Sequence, residues 1–131
     1  MRRRPLLPTL ASVSFVAAGL VAACSGSGAG PGDALASFAG AGATLEAVNI
    51  QFEPTTITLP AGQPLRLVLD NKDAGVPHDI QVFQGDTVYA TSPRVTGPAV
   101  TEVRFGPLTP SRYQFRCQVH PAMVGTLVVT P

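Results

Sequence analysis

The folds open to this chain are limited by how often its strand-like runs are interrupted. From Thr44 onward, short runs rich in aliphatic, β-branched and aromatic residues are each cut off by a Gly, Pro, Asn or Asp turn signal. "TLEAVNIQF" (44–52) and "TTITL" (55–59) precede the breaker Pro60-Ala61-Gly62. "PLRLVLD" (64–70) sets Leu65, Leu67 and Leu69 on one face and Arg66 on the other, the pattern of a half-buried strand. "HDIQVFQ" (78–84), "TVYAT" (87–91), "AVTEVRFGPL" (99–108), "SRYQFRCQ" (111–118) and "GTLVVT" (125–130) continue the series. The expected fold is therefore all-β, a sandwich of seven to eight short strands. No internal repeat is visible.

The first 43 residues differ from this pattern. Arg2, Arg3 and Arg4 precede the apolar stretch "PLLPTLASVSFVAAGLVAA", which has the layout of an export signal. It ends in "LVAAC" (20–24), followed at once by "SGSGAGPG", and this resembles a bacterial lipobox. The expectation is a lipoprotein signal peptide over 1–23, lipid on Cys24, and a Gly/Ala/Ser-rich linker over 24–43. A single folded domain then occupies 44–131. Loss of the three arginines leaves six basic residues against eight acidic ones. With one lysine and no basic run in the domain, nucleic acid is excluded as a partner.

Cys24, once lipidated, leaves Cys117 without an intrachain disulfide partner, and a lone exported thiol needs another reason to exist. That reason lies in "FRCQVHPAM" (115–123), which holds Cys117, His120 and Met123. Alternation turns Cys117 inward with Tyr113 and Phe115, at the end of a strand. The other histidine, His78, begins a strand 39 positions earlier and supplies a second imidazole. One thiolate, two imidazoles and one thioether form a soft mixed set that selects copper, in the His₂Cys arrangement with a weak axial Met. Zinc competes for Cys and His but gains little from a thioether.

"PHDI" (77–80), "VTGPA" (95–99), "YQFRCQVHPAM" (113–123) and "GTLVV" (125–129) together resemble the cupredoxins, the small blue copper proteins. The resemblance covers about residues 46 to 131, and the C-x2-H-x2-M spacing is the short, amicyanin-like one. It implies a Greek-key sandwich, one type 1 copper ion on His78, Cys117, His120 and Met123, and one-electron transfer without enzymatic activity. The family's first histidine is often followed by Asn, whose side chain ties the two ligand loops together. Here Asp79 stands in that position and is the candidate for the same task, without the amide donors.

The resemblance also implies a redox partner, a cytochrome or copper enzyme, meeting a small apolar patch around His120. Val76, Pro77, Pro121, Ala122 and Val124 are its expected rim. The expected protein is a monomer, lipid-anchored at the bacterial cell envelope, on a periplasmic or outer surface. A copper chaperone or copper-homeostasis protein could use the same ligands, although such sites favour exposed Met-rich or paired-Cys sets. A thiol hydrolase built on Cys117 and His120 would need an accessible sulfur, whereas alternation turns this one inward.

Overall fold

Strand alternation carries over directly into the layers of the computed structural model, which describes residues 38–131. The signal peptide over 1–23, Cys24 and most of the linker lie outside the described residues. Eleven strands form: β1 (Ala41–Val48), β2 (Gln51–Glu53), β3 (Thr56–Pro60), β4 (Leu65–Asn71), β5 (Pro77–His78), β6 (Gln81–Gln84), β7 (Thr87–Thr91), β8 (Val95–Thr96), β9 (Ala99–Phe105), β10 (Ser111–Arg116) and β11 (Val124–Thr130).

The excess over seven to eight comes from two split runs and one added two-residue strand, not from a different architecture. The run 44–52 bends at Asn49-Ile50 into a β1–β2 hairpin, with Val48 opposite Gln51. The run 78–84 divides into β5 and β6, and the segment 91–98, which reads as loop, contributes two-residue β8 as partner of β5. β1 begins at Ala41, paired with Leu65, so residues 41–43 belong to the sheet and not to the linker.

One sheet runs β2-β1-β4-β9 and the other β3-β11-β10-β6-β7, with the β5–β8 pair as a separate ribbon. Both large sheets are mixed: β1 lies parallel to β4 and β3 parallel to β11, while the remaining pairs are antiparallel. The inward faces bury Leu45, Phe52, Leu65, Leu67, Leu69, Ile80, Val82, Phe115 and Leu127, all at 0–1% exposure. Each such side chain contributes about 1.5–3 kcal/mol when fully withdrawn from water.

β4 departs from its half-buried expectation. Arg66 is 2% exposed, because the outer face of this central strand is covered. Its guanidinium pairs with Glu102 on β9, and the ring of Phe38 lies over both Arg66 and Arg104. With the outer face over Arg66 covered, the buried cation must be paired.

β10 carries the site and is locked by its own aromatic residues. Tyr113, Phe115 and Cys117 are buried and Gln114, Arg116 and Gln118 exposed, as alternation requires. The Tyr113 hydroxyl donates to the carbonyl of Thr109, and Phe115 meets Phe52 edge-on at 5.2 Å. Opposite Phe115 stands Gly125, where any Cβ would run into the Phe115 ring and the Thr55 carbonyl. Gly125→Ala is expected to lower stability by about 1–3 kcal/mol through overpacking, read from chemical denaturation of the metal-free protein.

Candidate metal centre

Cys117 follows the last residue of β10, and the chain then closes on itself within a few residues. The Cys117 N–H donates to the Met123 carbonyl at 3.0 Å, and the Met123 N–H donates to the His120 carbonyl at 2.8 Å. These bonds bring both ends of the segment together at the core, where Cys117 and Met123 are each 1% exposed. His120, between them, is half-buried.

His78 reaches the same point from another sheet. It sits in β5 opposite Val95 of β8 and is fully buried. The loop before it is folded around Asn71, whose amide donates to the carbonyls of Val76 and Val95 at 2.8 and 3.0 Å. A side chain at Gly97 would overlap Asn71 and the Asp73 carbonyl, so this crossing needs glycine. On the His78 ring, Nε2 lies 3.0 Å from a carboxylate oxygen of Asp73. A carboxylate accepts only, so Nε2 carries the proton and Nδ1 keeps its lone pair.

That lone pair faces two further donors. His78 Nδ1 lies 3.7 Å from Cys117 Sγ and 3.2 Å from His120 Nδ1, and Sγ lies 3.6 Å from His120 Nδ1. A triangle with these sides has a circumscribed radius of about 2.0 Å, close to a metal–imidazole bond and somewhat below a metal–thiolate one. One ion therefore fits all three atoms with small adjustments. Among the described residues, His78, Cys117 and His120 are the group of His, Cys and acidic side chains able to hold a metal. Met123 lies with Cys117 in the same buried cluster and is tied to it through the backbone.

A family model for the cupredoxin-like domain matches residues 14–129. The chain is a cupredoxin. Auracyanin B superposes with a TM-score of 0.63 at 22% identity, covering 70% of this chain and 89% of that one. Auracyanin A, described as a "blue" copper protein of the green thermophilic photosynthetic bacterium Chloroflexus aurantiacus, gives 0.62 at 23% identity, over 70% and 100%. Amicyanin from Paracoccus versutus gives 0.53 at 18% identity, over 66% and 79%. A search of curated proteins gives no match. With the family established, the arrangement of His78, Cys117, His120 and Met123 fits one type 1 copper ion.

Within this cupredoxin, the aspartate after the first histidine is engaged on both oxygens. Asp79, 1% exposed, accepts the Gln118 N–H on Oδ1 at 2.8 Å, joining the His78 strand to the loop that begins at Cys117. Its other oxygen takes Nε and a terminal nitrogen of Arg94 at 2.9 and 2.7 Å. The guanidinium thus supplies the donors that a carboxylate lacks and balances its buried charge.

Arg94 and Asp73 bond to residues of the site but carried no signal of their own in the sequence. Arg94 stands in a loop-like stretch, and "NKDAG" reads simply as a turn; their partners are fixed only once the β5–β8 ribbon forms. Asp73 also holds the N–H groups of Asn49 and Ile50. Burial opposes its charge, but the Ile50 N–H, the His78 ring and the Asn49 N–H outweigh that and hold its carboxyl below the ordinary aspartate value.

Arg94→Ala leaves the Asp79 charge buried beside the ligand loop and is expected to cost about 1–3 kcal/mol. Adding Asp79→Asn should recover most of that loss, because a neutral amide still accepts the Gln118 N–H. Urea unfolding of the two metal-free variants against the parent protein checks both values.

Proposed function

We propose that this cupredoxin is a membrane-tethered one-electron carrier, with one type 1 copper ion held by His78 Nδ1, Cys117 Sγ, His120 Nδ1 and the Met123 thioether. The observation that carries the reading is the convergence of three donor atoms at mutual distances of 3.2–3.7 Å in a largely buried position. Bound copper supplies a couple between Cu(II) and Cu(I). The chain supplies donors that need not move when that couple turns over: Cys117 and Met123 share a backbone bond, and His78 is fixed by Asp73.

His120 is the one of the four side chains that is not fully withdrawn from the surface, which makes its ring the natural electron portal. Around it Pro121 and Ala122 are exposed, Val119 and Val124 are 37% and 47% exposed, and Val76 and Pro77 are half-buried. Ile50, 46% exposed, is bonded through its N–H to Asp73, the partner of His78. A small apolar rim suits a brief encounter with a cytochrome or copper enzyme more than a permanent complex. Burial of Cys117, Met123 and His78 favours retention of the ion, and so a carrier over a chaperone that hands copper on. Nothing in this reading assigns the protein a reaction of its own.

The same proposal includes removal of residues 1–23, lipid on Cys24 and a tether running to β1. The carrier is then a monomer held at the bacterial cell envelope. Copper(II) added to the mature protein should give an intense blue colour that Cys117→Ser abolishes while the fold survives. A colourless parent protein, or colour that persists in the variant, would refute the copper assignment.

A further inference from the structure

The two-residue turn between β1 and β2 is unusual, and it touches the site. Asn49 and Ile50 both have positive φ, 53° and 60°. Tight hairpins of this kind favour Asn at the first position but glycine at the second, and a β-branched residue at positive φ is strained. Both N–H groups of the turn donate to one side chain, Asn49 to Oδ1 of Asp73 at 2.7 Å and Ile50 to Oδ2 at 2.9 Å. Oδ2 is also the atom that accepts from His78 Nε2 at 3.0 Å. Asp73 is held in turn from behind, its N–H donating to Asn71 Oδ1 at 3.0 Å and its carbonyl accepting from Val76.

We propose that Asp73 is a positioning residue for the metal centre, linking the strained β1–β2 turn to His78 so that Nδ1, and not Nε2, faces Cys117 and His120. The proposal rests on the copper reading for its redox consequence but not for the orientation itself. His78 has no solvent exposure, so an imidazole without a partner on Nε2 would be left with an unsatisfied buried donor. With the carboxylate in place the ring has one satisfied tautomer and one orientation. The carboxylate also puts negative charge on the far side of a ligand, which stabilises the more positive state of the ion. Loss of such a partner generally lowers metal affinity by 10–100-fold.

The turn offers a way to separate this role from plain stability. Ile50→Gly relieves the strained position, so the turn no longer depends on Asp73 for its conformation. Asp73→Ala and Asp73→Asn are then made in the parent and in the Ile50→Gly background. In the metal-free protein, nitrogen-15 NMR should show His78 protonated on Nε2 and exchanging slowly with water. Asp73→Ala should abolish that protected proton in both backgrounds, while Asp73→Asn, which keeps an acceptor oxygen, should retain it. In the copper-loaded protein both variants should shift the balance toward Cu(I) by about tenfold, a rise of about 59 mV for one electron.

The proposal is overturned if metal-free parent protein carries the His78 proton on Nδ1. It is also overturned if Asp73→Ala in the Ile50→Gly background changes unfolding stability alone, leaving the ring proton and potential at parent values. Failure of the parent to bind copper would count against the copper reading alone, since the ring proton is measured without metal.

Discussion

The bond from the Cys117 N–H to the Met123 carbonyl continues the β10–β11 ladder one step beyond the Arg116–Val124 pair. With it, the segment carrying Cys117, His120 and Met123 becomes the closed tip of a hairpin whose strands are pinned in the core. Phe115 and Leu127, both fully buried, fix the register of that hairpin, and Gly125 gives the Phe115 ring its space. A slip of one residue would turn Cys117 outward and expose the aromatic face. The donors are therefore placed by the same packing that stabilises the fold.

His78 must be brought to this tip from a separate ribbon, and buried polar contacts do that work. Asn71 folds the loop before it, Asp73 aims its ring, and Asp79 ties the next residue to the Gln118 N–H. Two aspartates thus flank one ligand and are satisfied differently. Asp73 is met by two backbone N–H groups and the imidazole. Asp79 is met by Arg94, with its second oxygen on the backbone. Each carboxylate has every oxygen engaged, as burial demands.

Alternation and donor chemistry made much of this legible from the sequence. "SRYQFRCQ" shows the inward face of β10 residue by residue, and a lone exported thiol with two imidazoles and a thioether singles out His78, Cys117, His120 and Met123. What stayed hidden depends on tertiary contacts. Arg66 reads as a solvent-facing residue because alternation cannot foresee Phe38 and Glu102 covering it. The break at Asn49-Ile50 was concealed because Ile is a poor marker for a turn that usually takes glycine. Asp73 and Arg94 carry no motif, since their roles arise from partners across a loop and a ribbon.

X-ray absorption at the copper edge, on the loaded protein in both oxidation states, tests the central claim most directly. One sulfur at thiolate distance and two imidazole nitrogens around the ion are expected, with little change in these bonds on reduction. A shell of nitrogen and oxygen alone, or loss of the sulfur in either state, would contradict it.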